Sequence, residues 1–225
     1  MKPSIVDLSH ALGPNTPVFA DYPPVEIEVL ESTGPPQPDG RRSLNSSRIA
    51  VGMHCATHMD APFHFFEDRC RIDRIPLDRF VGPSVLVDVQ LSGGRGQIEP
   101  EHLTHLRDAL QRTRKVVIKT GWYKHWGEPG YFTDFPVVSG SAAEFLVECG
   151  VHLFGIDTPS VDDPPFPAHL VLLGNDVVIV ENLTNLDAVD GDLFQLVVLP
   201  LKITDREASP ARAIAMPLNS RADIT

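Results

Sequence analysis

The stretch MHCATHMDAPFHF, residues 53–65, carries the side chains best suited to chemistry in this chain of 225 residues. Three histidines and an aspartate lie close together in it, at His54, His58, Asp60 and His64. Imidazole nitrogens and carboxylate oxygens bind divalent cations, and imidazole also transfers protons near neutral pH. A lone histidine is more often packed or solvated, but four such groups at this spacing predict a metal site or an acid/base centre.

The spacing also constrains the local conformation. In an extended strand, His54 and His58 would lie roughly 13 Å apart at about 3.3 Å per residue, too far for both imidazoles to bind one ion at about 2.0–2.1 Å. One helical turn would bring such positions to about 5–6 Å between Cβ atoms. Asp60 could then complete the shell before Pro62 ends the turn, because a residue preceding proline avoids helical angles. We therefore expect a bent segment here.

Two histidines and a carboxylate do not close a stable tetrahedral site, so further ligands should come from distant sequence. His169 lies in PPFPAHLVLLG, at a proline-framed start of a short helix. Glu181 follows the apolar run VVIV, and a carboxylate that ends a buried strand needs a partner or an ion. Both residues are candidate ligands from the second half of the chain.

The elements that must position these groups follow from apolar runs, several of them continuous, as in sheets covered on both faces. The predicted strands are Ser4–Leu8, Ser84–Val89, Val116–Thr120, Leu153–Ile156, Val177–Val180 and Leu193–Pro200. Predicted helices cover Pro100–Gln111 and Ser141–Cys149, the second with a capping box that begins at Ser141. The turn-rich segment Thr33–Arg42 predicts an exposed loop joining two early strands. Together these predict one α/β domain over residues 1–225 with a mixed β-sheet.

Composition excludes several classes of partner. The formal net charge is -11 and the basic residues are scattered, whereas binding to a phosphate backbone needs a clustered positive face. No run approaches the ~20 apolar residues that cross a bilayer. The N-terminal residues lack the apolar region of a signal peptide, and three isolated cysteines predict free thiols. We expect a cytoplasmic protein that binds neither nucleic acid nor membrane.

HCATHMDAPFHF resembles the H-[TS]-G-[TA]-H-x-D-x-P-x-H signature of the cyclase-like metal-dependent hydrolases, a family that includes bacterial kynurenine formamidases and isatin hydrolases. The segments DLSHALGPNTPVFADYPP, KTGWYKHW, GIDTPSVD and VVIVENLTNL also resemble that family, in its order, so the resemblance covers nearly the whole chain. It implies a swivelling β/β/α-like fold assembled as a homodimer or higher homo-oligomer. It also implies one or two divalent ions per subunit, Zn²⁺ or alternatively Mn²⁺.

The resemblance implies roles for individual residues. The implied metal ligands are His54, His58, Asp60, His169 and Glu181. His64 matches the catalytic acid/base. In the predicted mechanism, Glu181 could serve as a ligand, as a catalytic proton relay or as both. Ala56 stands where the family has glycine, which restricts the backbone if a positive φ is needed. Phe19 stands where the formamidases carry a substrate-contacting tryptophan, so the aromatic wall could persist without the indole.

The predicted reaction is hydrolysis of a C–N amide bond in a small, aromatic amide by a metal-activated water, with His64 taking and returning the proton. Phe19, Phe63 and Phe65 could flank an aryl group, although ordinary core packing explains Phe63 and Phe65 equally well. One alternative is ring opening of a cyclic amide or imide such as isatin. Two others are a metal-dependent binding protein that lacks catalysis and a purely structural zinc site.

Several other polar residues have less specific predictions. Asp157 and Asp162 end a predicted strand and are expected to hydrogen-bond the ligands rather than bind metal. Trp122 and Tyr123 are expected to pack. The remaining histidines share no spacing and are treated as solvated or structural: His10, His102, His105, His125 and His152.

Overall fold

The computed structural model describes residues 5–91 and 95–218. Its strands are β1 Val6–Asp7, β2 Glu26–Glu31, β3 Ser46–Ala50, β4 His58–Asp60, β5 Val81–Asp88, β6 Gln97–Ile98, β7 Lys115–Lys119, β8 Val137–Val138, β9 Leu153–Ile156, β10 Val178–Glu181, β11 Leu193–Pro200 and β12 Ala208–Met216. Its α-helices are α1 Arg107–Thr113, α2 Gly140–Glu148 and α3 Pro167–Gly174. Short 3-10 turns occupy Pro62–His64, Ile72–Arg74, Leu77–Arg79, Pro100–His102, Thr104–Leu106, Trp122–His125 and Leu186–Ala188.

Seven strands close into a barrel in the order β12, β11, β5, β7, β9, β10, β4, and β4 pairs back onto β12. The neighbours β5, β7, β9 and β10 run parallel, whereas the pairs made by β4, β11 and β12 are antiparallel. The predicted α/β domain with a mixed sheet is therefore confirmed. The closure of that sheet into a barrel was not predicted from the sequence. The swivelling β/β/α description stays a prediction.

Alternation along the strands divides the apolar side chains between two cores. On β7, Val116 and Ile118 pack with residues of the three helices, while Val117 packs with residues of β4, β11 and β12. Successive side chains of a strand point to opposite faces, so the first core lies between barrel and helices and the second fills the barrel. Because both faces of β7 and β9 are covered, the three central residues of β7 and all of β9 lack polar side chains.

The predicted strands agree with the observed ones to within a few residues. Leu153–Ile156 and Leu193–Pro200 match β9 and β11, whereas β5 begins three residues before the predicted start. The prediction that began at Ser4 corresponds to β1, although Ser4 itself lies outside the described residues. The nine-residue strand β12 was not predicted, because its alternating small and polar residues do not form an apolar run.

The helix predictions need two corrections. Half of Pro100–Gln111 forms two 3-10 turns, and the α-helix α1 begins only at Arg107. The N-cap of α2 is Ser139 rather than Ser141, because the Ser139 hydroxyl accepts a hydrogen bond from the Ala142 amide at 3.0 Å. The capping box at Ser141 was therefore wrong by two residues, although the helix itself is confirmed. No helix within the described ranges is long and apolar enough to span a bilayer.

Strands β2 and β3 form a separate two-stranded sheet, which we call the arm (residues 26–50). The predicted exposed loop Thr33–Arg42 joins them, as expected. Antiparallel register places Ile27 opposite Ile49 on one face and Glu28 opposite Arg48 on the other. Large apolar side chains of the arm are exposed, among them Val29 at 64 %.

Candidate metal centre and active site

The bend expected in the histidine-rich segment is present, although it is a turn rather than a helix. Ala56 adopts φ = 52°, so the backbone has a left-handed angle where the family signature has glycine. After this turn, β4 pairs antiparallel with β10 and places His58 opposite Glu181. The Thr57 hydroxyl donates a hydrogen bond of 2.6 Å to the Asn182 carbonyl and holds the two strand ends together.

The structure brings all five predicted ligands to this end of the barrel. The Nε2 atom of His58 lies 3.2 Å from Glu181 Oε2 and 3.5 Å from Asp60 Oδ1. The Nδ1 atom of His54 lies 2.8 Å from Asp60 Oδ1. From α3, His169 places its Nε2 3.5 Å from Glu181 Oε1 and 3.9 Å from Asp60 Oδ2. Residues more than a hundred positions apart thus form one cluster.

Hydrogen bonds on the far side of two imidazoles orient their Nε2 atoms toward the cluster. His58 Nδ1 lies 2.8 Å from the Ala56 carbonyl, to which it can only donate. His169 Nδ1 lies 2.5 Å from Asp162 Oδ1, and Asp162 Oδ2 also accepts from the Ala168 and His169 amides. The predicted hydrogen-bonding role of Asp162 is confirmed. Such outer partners fix the tautomer of a metal-binding histidine.

Asp157 hydrogen-bonds a loop instead of a predicted ligand. Its carboxylate accepts from the amide and hydroxyl of Thr120 and from the Gly121 amide at 2.7–2.9 Å. Burial raises the pKa of Asp157 to about 6, against the effect of these hydrogen bonds. The residue therefore anchors the loop that follows β7, and the prediction that it would hydrogen-bond a ligand was wrong.

Three buried polar atoms of the cluster have no hydrogen-bond partner among the described residues: His58 Nε2, Asp60 Oδ1 and Asp60 Oδ2. The nearby imidazole nitrogens approach Asp60 without hydrogen-bond geometry. Burial opposes ionisation of Asp60, but His54 and His58 outweigh it and lower the pKa of that carboxyl. Because a buried, unsatisfied carboxylate is costly, the cluster has the character expected of a cation site.

The carboxylates of the cluster raise the pKa values of two of its imidazoles. Burial alone would lower the pKa of His58, but Asp60 and Glu181 raise it to about 9. Burial likewise opposes a charge on His169, while hydrogen bonds to Asp162 and Glu181 raise its pKa to about 10. The protein without metal therefore holds protons on two imidazoles that a bound cation would replace.

The donor set fits one or two divalent ions. Donor atoms around a tetrahedral ion with bonds of about 2.1 Å are roughly 3.4 Å apart, within the 2.8–3.9 Å range of the contacts above. Two groups of donors, each within 4.8 Å, share Asp60: one adds His54 and His64, and the other adds His58 and Glu181. Histidine nitrogen with carboxylate oxygen suits zinc and manganese alike.

His64 lies at the end of the 3-10 turn that Pro62 begins, with its ring centroid 4.1 Å from that of His54. Burial, with the neighbouring His54 and His169, lowers the pKa of His64 to about 4. The imidazole is therefore neutral at pH 7 and can accept a proton. Because its nitrogen also belongs to the donor group of His54 and Asp60, His64 is positioned for either acid/base chemistry or metal binding.

The cluster forms one wall of a cavity of about 670 Å³. Six aromatic side chains line this cavity: Phe19, Tyr22, Phe65, Phe132, Phe135 and Phe166. Two of the predicted aryl contacts, Phe19 and Phe65, are among them. Phe63 does not line this cavity; its ring packs against the Arg71 guanidinium, 4.0 Å away, in keeping with the packing alternative. The remaining four were missed because isolated aromatic residues carry no spacing signal.

Two further residues beside the centre were not predicted. Glu207 precedes β12 and places Oε1 3.9 Å from His54 Nε2. The Tyr131 hydroxyl donates to Asn182 Oδ1 at 2.8 Å and supports the residue after Glu181. Both contacts depend on long-range packing, so no local signal could have found them.

Trp122 and Tyr123 are partly buried and pack, as predicted. The Trp122 indole donates to the Tyr131 carbonyl at 3.0 Å, and the Tyr123 ring packs against the barrel core. Of the histidines treated as structural or solvated, His10 stacks on Trp126 with ring centroids 3.8 Å apart. It lines neither the metal cluster nor the cavity.

Comparison with known proteins gives concordant results. Residues 6–163 match the family model described as "Putative cyclase". The chain is 32 % identical over 219 residues to the kynurenine formamidase of Bacillus mycoides (strain KBAB4), covering 95 % of this chain and 97 % of the relative.

Solved structures agree with the sequence comparison. Isatin hydrolase A from Labrenzia aggregata superposes with a TM-score of 0.82 at 28 % identity, over 95 % of this chain and 93 % of that one. A protein from Bacillus stearothermophilus described as a "predicted metal-dependent hydrolase" superposes with a TM-score of 0.76 at 26 % identity, over 94 % of this chain and 97 % of that one. With its family model and its relatives covering most of its length, the chain belongs to the cyclase family.

Proposed function

We propose that this cyclase-family protein is a metal-dependent hydrolase that cleaves a C–N amide bond in a small aromatic substrate, as an arylformamidase does. Four candidate ligands converge on the fifth, Asp60, a buried carboxylate without hydrogen-bond partners among the described residues, and this arrangement carries the proposal. The aromatic wall of the adjoining cavity supports an aryl substrate, since rings pack favourably against one another. The kynurenine formamidase relative supports the amide bond as the target.

His54, His58, Asp60, His169 and Glu181 would hold one or two divalent ions, with Asp60 shared between them. Zn²⁺ is proposed first, and Mn²⁺ is the alternative. When bound, the ion polarises the amide carbonyl and lowers the pKa of water, which supplies a nucleophile at neutral pH.

The side chains of this chain do the remaining work. His64 is neutral at pH 7 and accepts the proton of the attacking water on an imidazole nitrogen, then returns it to the leaving nitrogen. Glu181 can accept and pass on the same proton from its place beside His58 and His169. Phe19 and Phe65 hold the aryl group against the cluster, and the apolar wall excludes bulk water.

The test measures metal content and turnover separately in His58→Ala and His64→Ala. If His64 is the acid/base, His64→Ala retains bound metal but loses at least a hundredfold in turnover, whereas His58→Ala loses both. Exposed His125, changed to alanine, is the matched control and keeps both. Loss of metal in His64→Ala would make that residue a ligand, and full turnover in both variants would overturn the mechanism.

A second candidate reaction is ring opening of a cyclic amide or imide at the same site. The superposition on isatin hydrolase A favours it. The two reactions differ in the leaving nitrogen, which departs from an open-chain amide but stays tethered after ring opening. Turnover of an open-chain formanilide and of isatin, measured side by side on metal-loaded protein, separates them, and turnover of neither would exclude both.

We also propose that the chain forms a homodimer through its arm. A two-stranded sheet alone is marginally stable in water, yet the arm exposes Ile27, Val29 and Ile49 on one face. Its 25 residues match the 20–30 residues per partner of a standard interface. Light scattering should give a dimer that Val29→Lys converts to a monomer, with Leu199→Lys on another surface as the control; a monomeric parent would refute the assembly.

A swivelling β/β/α relationship and a cytoplasmic location complete the proposal. Cys55, Cys70 and Cys149 are all free, which is typical of a reducing compartment. Fractionation of the producing cells tests the location, and recovery outside the cytoplasm would contradict it.

A further inference from the structure

Five of the six aromatic side chains that line the cavity fall into two groups. In the first ring group, Phe19 lies between Phe132 and Tyr22, with ring centroids 4.5 Å and 6.1 Å away. Phe65 and Phe166 form the second ring group, with their centroids 5.4 Å apart. Among the described residues, no ring contact joins a member of one group directly to a member of the other.

The imidazoles of the metal cluster connect these two groups. Tyr22, in the first group, meets the His54 ring edge-on at 6.5 Å between centroids. In the second group, Phe65 stacks on the His169 ring at 5.0 Å and meets the His64 ring edge-on at 4.8 Å. The rings of His54 and His64 are 4.1 Å apart. A ligand group held at the cluster therefore has aromatic surface within reach on the His54 side and on the His169 side.

Both ring groups keep surface that the protein does not cover. The two residues of the second group are partly buried, as are Phe19 and Phe132, and Tyr22 is 41 % exposed. All five line the same cavity. Because an aromatic ring buries a large apolar area and pairs favourably with another ring, each group offers a place for one ring of a ligand.

The cavity is also larger than a single ring requires. Its volume of about 670 Å³ lies within the range of roughly 300–1,000 Å³ for pockets that enclose drug-sized ligands. A formamide has only a hydrogen atom on the acyl side of its C–N bond. An aryl formamide would therefore fill one ring group and leave the other in contact with water.

We propose that the substrate is an amide with an aromatic ring on each side of the scissile bond, one on the acyl carbon and one on the nitrogen. This inference rests on the proposed amide hydrolysis and names its substrate class. With the amide at the metal cluster, each ring packs against one of the two ring groups. Hydrolysis consumes one water, breaks the C–N bond and releases an aromatic carboxylic acid and an arylamine.

The test compares formanilide, which has one ring, with benzanilide, which has two, as substrates of the metal-loaded protein. Phe132→Leu alters the first ring group and Phe166→Leu the second, while Phe63→Leu, outside the cavity, is the matched control. Each variant is compared with the parent on the same substrate, so the different reactivity of the two amides cancels. For benzanilide, kcat/KM should fall about tenfold in both cavity variants. For formanilide it should fall in only one of them, and Phe63→Leu should change neither value.

Calorimetric titration separates this inference from the proposed reaction. The metal-loaded parent should bind benzanilide at least tenfold more tightly than formanilide, whether or not it cleaves either amide. Chelator competition checks that the variants hold metal as the parent does, because the Phe166 ring lies 5.7 Å from that of His169. If Phe166→Leu loses metal or does not fold, Phe65→Leu replaces it.

The possible outcomes are distinct. Benzanilide that binds no more tightly than formanilide would overturn the proposal, as would a loss with benzanilide in only one cavity variant. Cleavage of formanilide without cleavage of benzanilide would overturn it too and leave the proposed hydrolysis standing. If neither amide is cleaved, but benzanilide binds more tightly and both variants weaken that binding, amide hydrolysis is refuted and the site for two rings stands.

Discussion

Replacing Asp162 by asparagine tests whether His169 is held as a metal ligand. One carboxylate oxygen of Asp162 faces His169 Nδ1, and the other accepts from the Ala168 and His169 amides. Asparagine keeps the shape but offers only one acceptor oxygen. If the asparagine NH₂ group faces the Ala168 and His169 amides, hydrogen-bond donors face each other on both sides. If the NH₂ group faces His169 instead, Nδ1 must accept a hydrogen bond from it, and the imidazole proton then lies on Nε2, where the metal should bind.

The expected size of the effect follows from these contacts. Loss of an outer hydrogen bond to a metal-binding histidine typically weakens metal binding 10–100-fold, or about 1.4–2.8 kcal/mol. Two charge-assisted hydrogen bonds are also lost or inverted, so the metal-free protein should lose about 2–4 kcal/mol in free energy of unfolding. Metal affinity should fall without a change in the cavity that binds substrate.

Competition with a chromophoric chelator measures the metal affinity, and urea denaturation of the metal-free protein measures stability. The matched control is Asp163→Asn, the same change at the next residue, whose partly exposed carboxylate pairs with Arg95. Asp163→Asn should leave both the metal affinity and the free energy of unfolding nearly unchanged. A folded Asp162→Asn protein that binds metal within twofold of the parent would refute the role given to His169.

Three further predictions concern pH, packing and substrate. Because the folded pKa values of His58 and His169 are about 9 and 10, above the unfolded value of about 6.5, the stability they give the metal-free protein is complete below pH 6.5 and lost as pH rises through 9–10. Urea denaturation at pH 6 and pH 10 checks this loss. Gly155→Ala should cost about 1–3 kcal/mol, since its Cβ would lie 2.9 Å from Leu183 Cδ1, measured by the same method. Phe19→Ala should raise KM for an aryl amide about tenfold with unchanged metal affinity, as steady-state kinetics and chelator competition would show.

Each of these has an outcome that contradicts it. Equal free energies of unfolding at pH 6 and pH 10 would exclude the imidazoles as the cause. A loss of stability between these pH values that is as large in His169→Gln as in the parent would exclude them too. If Gly155→Ala is as stable as the parent, the side chains around position 155 must adjust to the added methyl group without loss of stability. For the substrate contact, Phe63→Ala is the control outside the cavity, and an equal rise in KM there would show an indirect effect.

The chemistry of the site was predictable because its donors are encoded locally. Three of the five ligand candidates fall within seven consecutive positions, His54 to Asp60. A turn after β3 was required by spacing alone. Glu181 was identified because a carboxylate at the end of a buried apolar run needs a partner, and the structure places it opposite His58. The predicted helical turn failed because β4 gains more hydrogen bonds by pairing with β10 and β12.

By itself, the sequence determined which side chains could bind a cation, the bend that separates them and most of the strands, since these depend on neighbours within a few residues. Tertiary structure alone decided the closure of the barrel, where residues 58–60 pair with 208–210, and the approach of His169 to Asp60. It also gathered the aromatic side chains that line the cavity. Contacts between distant segments depend on how whole faces pack, and the spacing of residues along the chain does not specify that packing.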